Sequence, residues 1–179
     1  MKLSLNIFFF LFLSLIACKT GDDNGQTISD PQPPYTWDRF SMGVDLSYAN
    51  ELQDYGAVFR YSGITDDPFV IMKNHGANTV RVRLWHNPAW IGEITGGKIY
   101  SDLYDVEKTI RRAKNAGMAV NLDIHYSDIW ADPNHQETPA AWNGLNLTML
   151  KDSVYNYTLK VLNYLKSNCL LYTSDAADE

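Results

Sequence analysis

Basic residues are scarce: 15 lysines and arginines stand against 21 acidic residues, for a formal net charge of -6. Nucleic-acid binding needs a clustered basic patch to meet the phosphates, so a nucleic-acid partner is excluded. Cysteine is almost absent, with only Cys18 and Cys169. No disulfide framework can support the fold, and stability must come from a packed core. No apolar run reaches the roughly 20 residues that a bilayer-spanning helix needs. Gly-rich turns after strand-like runs are missing too, which argues against a dinucleotide-binding fold.

The longest apolar run, residues 5–16, follows the positive charge of Lys2 and is about a dozen residues long, the pattern of an export signal. It ends in Leu15-Ile16-Ala17-Cys18, which looks like a bacterial lipobox. Residues 1–18 are therefore expected to be a lipoprotein signal peptide, with Cys18 acylated and holding the protein to a membrane. Residues 19–36 are polar and Pro-rich, with no apolar period, and read as a flexible tether. A bacterial envelope location follows, as an outer-membrane lipoprotein on the extracellular face or in the periplasm.

From Trp37 onward the pattern alternates strand-like and helical runs, the sign of an α/β fold with a parallel sheet. Strands are expected at 42–46, 79–85 and 118–126. Asp67-Pro68 opens a helix that Gly76 closes. A second helix spans 103–116, capped by Ser101 or Asp102 and ended by Gly117. A third follows Leu147, Leu150, Val154, Tyr157, Val161 and Leu165 at helical spacing. The helix ends Asn74-His75-Gly76-Ala77-Asn78 and Asn115-Ala116-Gly117-Met118-Ala119 are alike, as in a repeated βα unit.

A (β/α)8 TIM barrel needs about 250 residues. Residues 37–168 would hold only about the first three βα units of one. Such an open sheet exposes strand edges, so the 179-residue chain alone is expected to be poorly soluble or molten. Residues 169–179 break the helical pattern and resemble a translated sequencing-library adapter, so they are expected to be non-native.

Strand side chains alternate between faces. Val80, Val82 and Leu84 share one side; Arg81, Arg83 and Trp85 share the other. Val120, Leu122 and Ile124 likewise oppose Asn121, Asp123 and His125, and Val44 opposes Asp45. The apolar side should meet the helices. The polar side should face the barrel interior, where Asp45 and Asp123 balance Arg81 and Arg83, and so many polar groups there suggest a polar ligand. Barrel active sites lie at the C-terminal strand ends, where Arg83 and His125 fall. After the third strand, Tyr126, Trp130, Asp132 and Trp142 combine flat aromatics with polar groups in a Pro-punctuated loop. Aromatic faces and fixed hydrogen-bonding groups together suit a sugar.

The runs Gly43-Val44-Asp45-Leu46-Ser47, Asn78-Thr79-Val80-Arg81-Val82-Arg83-Leu84-Trp85 and Asp123-Ile124-His125-Tyr126-Ser127-Asp128, with Trp130-Ala131-Asp132-Pro133, resemble the arabinogalactan endo-β-1,4-galactanases of glycoside hydrolase family 53. That resemblance implies an endo-acting, retaining glycosidase that cleaves internal β-1,4-galactosidic bonds in the (arabino)galactan side chains of pectin. It implies two catalytic glutamates at the ends of strands four and seven, both expected beyond Asn168, so none is assigned here and the 179-residue chain itself is expected to be inactive. Asp45, Arg83, His125, Tyr126, Trp130, Asp132 and Trp142 would bind the substrate. The family's calcium ion would sit in later loops, with no cofactor or metal in this segment, and the protein is expected to be a monomer whose partner is β-1,4-galactan.

Three other readings stay open. A metallohydrolase could be built on Asp123, His125, Asp128 and His135, although the first strand lacks the His pair that such barrels use. An endo-glycanase of the same barrel type could act on another β-1,4-glycan, since specificity lives in loops. A non-catalytic glycan-binding surface lipoprotein would also fit the anchor and the rim aromatics.

Overall fold

Short β-branched runs and capped amphipathic helices alternate in the computed structural model, which describes residues 40–168 and 170. The expected signal peptide, Cys18, the tether and all of the tail except Leu170 lie outside the described residues. Strand β1 (Gly43–Asp45) leads into helix α1 (Ala49–Asp54), the hairpin β2 (Arg60–Tyr61) and β3 (Ile64–Thr65), and helix α2 (Pro68–Asn74). Strand β4 (Thr79–Trp85) is followed by α3 (Ala89–Thr95) and α4 (Leu103–Asn115). Strand β5 (Ala119–His125), a 3-10 turn (Ala140–Trp142) and helix α5 (Leu147–Ser167) complete the order.

The sheet runs β1-β4-β5, all parallel, with Val44 beside Val80 and Val80 beside Val120. Parallel neighbours need long crossovers, which α2 and α4 supply. Helices α2 and α4 begin where a carboxylate can accept an orphan N–H: Asp67 from Phe69 and Asp102 from Asp105, both at 2.8 Å. The two like helix ends stop the same way, with Gly76 at φ 94° and Gly117 at φ 70°. Lys73 ties them together by donating from Nζ to the Gly117 carbonyl at 2.8 Å.

Alternation along β4 makes the core. Val80, Val82 and Leu84 are completely or almost completely buried against Val106, Ile110 and Ala113 of α4 and Val161 and Leu165 of α5. Burial of each such side chain is worth about 2 kcal/mol. Leu170 joins the same core.

The expected strands and helices are present, with ends that differ by one or two residues. The long connection from 47 to 66, in which no element was expected, contains α1 and the hairpin. Its two-residue turn places Ser62 at φ 50° and Gly63 at φ 82°, the paired positive angles of a type I′ turn. Helix α3 was likewise unexpected; it starts after Pro88 and ends on Gly96 at φ 72°.

Candidate functional site

The face of the sheet opposite the core carries a continuous chain of polar contacts. Arg81 donates to Asp45 Oδ2 at 2.7 Å and, from its other terminal nitrogen, to Asp123 Oδ2. Asp45 also accepts from the Ser47 N–H at 2.9 Å. Burial works against its ionisation, but Ser47 and Arg81 outweigh it and hold the carboxyl below the usual value. Asp123 Oδ2 lies 3.0 Å from His125 Nε2, and His125 Nδ1 lies 3.2 Å from Trp85 Nε1. An indole N–H can only donate, so Nδ1 of His125 must accept and Nε2 must carry the proton toward Asp123. Both ring nitrogens of His125 are thereby used within the chain.

Both acids serve Arg81, so the expected pairing of two acids with two arginines does not form. Arg83 is enclosed instead by aromatic rings, its guanidinium carbon 4.4 Å from the Tyr48 ring centroid, 4.8 Å from Trp85 and 4.9 Å from Trp130. A weakly hydrated planar cation suits such a cage. Arg83 is only 2% exposed, yet its Nε and Nη2 have no hydrogen-bond partner among the described residues. These two donors can grip one planar acceptor such as a carboxylate, and leaving either unmet costs about 1–3 kcal/mol. Arg83 and His125 are thus the buried members of the polar face, whereas the side chains of Arg81 and Asp123 are 40% and 29% exposed.

The residues expected to bind substrate fall into two groups. Asp45, Arg83, His125 and Trp130 share the polar face. Asp132 joins them through Trp130, whose Nε1 donates to its Oδ2 at 3.1 Å. Tyr126 and Trp142 belong to a second aromatic cluster with His86 and Tyr157. Within it Trp142 is only 7% exposed, because the 3-10 turn sets its indole against His86 with centroids 4.6 Å apart. Tyr126 and Trp142 line a cavity of about 320 Å³ with Pro139, Leu150 and Val154. Tyr157 links the groups by donating to the Trp85 carbonyl at 3.2 Å.

Sequence reasoning missed Tyr48, His86, Trp90 and Tyr157 as neighbours of the site. Only His86 gave a signal, since it directly follows Trp85 at the C-terminal end of a strand. The four residues of the metallohydrolase reading do not converge: Asp128 pairs with His86 and His135 with Asp132, apart from Asp123 and His125. No group of three or more His, Cys, Asp or Glu placed to hold a metal ion occurs among the described residues.

Residues 41–174 match the model of glycosyl hydrolase family 53. An arabinogalactan endo-β-1,4-galactanase of Cellvibrio japonicus is 47% identical over 133 residues, which is 74% of this chain and 34% of that protein. Among solved structures, a fungal β-1,4-galactanase matches with a TM-score of 0.63 at 36% identity, covering 70% of this chain and 35% of its own. The family 53 catalytic domain of Ignisphaera aggregans matches with a TM-score of 0.64 at 34% identity, covering 72% and 36%. The chain spans about a third of the length of the curated relatives it matches. The parallel sheet and its helices form three βα units of the (β/α)8 barrel those enzymes share. On the match over residues 41–174, this chain belongs to glycosyl hydrolase family 53.

Proposed function

We propose that this chain supplies part of the substrate cleft of a retaining endo-β-1,4-galactanase, which cuts internal bonds of galactan or arabinogalactan. The observation that carries the reading is Arg83, caged by three aromatic rings at a strand end with two buried N–H donors still open. Retaining hydrolysis needs two carboxyl groups about 5 Å apart, one as acid/base and one as nucleophile. Arg83 is suited to hold such a carboxylate ionised and in place, because neither Asp45 nor Asp123 bonds its open donors and both engage Arg81 instead. The catalytic pair is expected on strands beyond Asn168. Glu107 does not stand in for it, because it lies on α4 bonded to Arg111 and Tyr164.

Trp130 and Tyr126, exposed at the rim, would offer flat apolar faces to sugar rings, while Asp45 and Asp132 would accept from hydroxyls. The apolar run of residues 5–16 and its Leu15-Ile16-Ala17-Cys18 ending support a lipid anchor on the bacterial envelope, where long polysaccharide would be shortened. Labelled palmitate should enter the protein and be lost in the Cys18→Ser variant.

The direct test is to incubate the complete protein with galactan, mannan and cellulose and to follow products by NMR. Short galacto-oligosaccharides whose new reducing ends first appear in the β configuration are expected. Cleavage of mannan or cellulose with galactan untouched would overturn the substrate assignment.

A further inference from the structure

One carboxylate joins the two ends of the rim loop that carries Trp130, Asp132 and Gln136. Asp128 Oδ2 accepts from the Ala140 N–H at 2.8 Å, twelve residues along the chain. Its Oδ1 lies 3.1 Å from His86 Nδ1, and its backbone carbonyl accepts from Trp90 Nε1 at 3.0 Å. A fourth contact reinforces the junction, as the His86 N–H donates to the Ser127 carbonyl at 2.8 Å. The side chains of His86 and Asp128 are only 15% and 19% exposed. The segment after β4, the first turn of α3, the end of β5 and the start of the 3-10 turn thus all meet at Asp128.

What these contacts hold is the aromatic rim. Trp130 sits two residues beyond Asp128, with its ring over Arg83 and 5.9 Å from the His125 ring. Trp142 sits two residues beyond Ala140, and its ring meets His86, which Asp128 also holds. None of the contacts of Asp128 is with Asp45, Arg81, Arg83, Asp123 or His125.

We propose that Asp128 is a positioning residue for polysaccharide binding: it clasps the 128–140 loop and so sets Trp130 and Trp142, the one over Arg83 and the other beside Tyr126. The inference rests on the galactanase reading. A carboxylate suits the role because two donors reach it and each oxygen accepts one. A rim fixed in advance has less freedom to lose when a long chain binds.

The test uses the complete protein with Asp128→Ala and Asp128→Asn. In the alanine variant KM for long-chain galactan should rise about tenfold while kcat stays within about twofold, because binding is lost and the reacting groups are not touched. The asparagine variant should fall between: its amide oxygen still accepts from Ala140, and His86 in its other tautomer can accept from the amide nitrogen. A tryptophan-fluorescence titration with a galacto-oligosaccharide should show the same order of weakening at equilibrium.

Unchanged KM and unchanged titration in either folded variant would overturn the proposal. So would losses in kcat that follow a lowered Tm, which would mark a role in folding alone. If the unsubstituted protein neither cleaves nor binds galactan, the galactanase reading falls and this inference falls with it. If the unsubstituted protein does both and the variants match it, only the clasp is wrong.

Discussion

Arg83 shows what a single position can demand of its side chain. Its guanidinium is flat enough to lie among Tyr48, Trp85 and Trp130, and it still has Nε and Nη2 free to donate in one plane. Lysine would keep the charge and lose the fork. In the complete enzyme, Arg83→Lys should lower kcat/KM on galactan by about a hundredfold, the size of effect seen when one aimed electrostatic donor is removed. Steady-state kinetics on protein shown to be folded by circular dichroism would check it. Asp132 and His135 make a different residue-scale case. Asp132 takes hydrogen bonds from the Asn134 and His135 N–H groups and from the His135 ring, and these hold its carboxyl below the usual value. The bond to Asp132 raises His135 above its ordinary 6.5. A raised histidine stabilises the turn fully below its unfolded pKa and loses that contribution as pH rises through the folded value. A lowered carboxyl contributes above its unfolded pKa and loses that as pH falls. The turn is therefore firmest between about pH 4 and pH 6.5. An NMR titration should find His135 above 6.5, and Asp132→Asn should bring it back down; an unchanged midpoint would refute the pairing.

Between the elements, one buried polar network does what apolar contact does elsewhere. Asn50 of α1 donates to Asp105 at 2.7 Å and to Thr109 at 2.8 Å on α4, and accepts from Arg112 at 2.7 Å. Arg112 reaches on to Gln53 and to Asp67, the cap of α2. Burial raises the Asp105 carboxyl, while bonds from Ser101 and Asn50 oppose that rise. Truncation of Asn50 would strand several of these groups at once, so Asn50→Ala should cost about 3 kcal/mol. Asp102→Ala removes a single helix cap and should cost about 1 kcal/mol. Chemical denaturation of the two variants would measure the difference. This network also explains what was and was not legible in the sequence. The strands and the α2, α4 and α5 helices follow from periodicity and caps, signals that lie within a few residues of each other. Helix α1 has only six residues and buries little beyond Ala49 and Asn50, too short a stretch to show an apolar stripe. Its place depends on partners 55 to 62 residues away. The site divides in the same way. Strand alternation assigned Asp45, Arg83 and His125 to one face, whereas the assignment of both acids to Arg81 and the pairing of His86 with Asp128 depend on side-chain packing across strands. The Ser62-Gly63 turn, by contrast, is signalled by the dipeptide itself, a local feature of the sequence.

For the molecule as a whole, the described sheet has β1 and β5 at its two margins, each paired on one side only among the described residues. Helix α5 also presents Tyr155, Leu159 and Leu162, at least two-fifths exposed and spaced along one side of the helix. Unpaired strand edges and exposed apolar faces promote association. The 179-residue chain expressed alone should therefore aggregate and bind a hydrophobic dye, as static light scattering and dye fluorescence would show. A monomer with a sharp, reversible thermal transition would contradict this. The alternation in β4 bears on how such a protein can change over time. Substitutions along β4 act one side chain at a time, and the surrounding loops can lengthen at small cost. A single inserted or deleted residue inside the strand would do something else: it would turn Arg81, Arg83 and Trp85 into the hydrophobic layer and bring Val80, Val82 and Leu84 out to the ligand. The length of this segment is thus held more tightly than its composition, and new specificities should arise through insertions in the loops at either end of it.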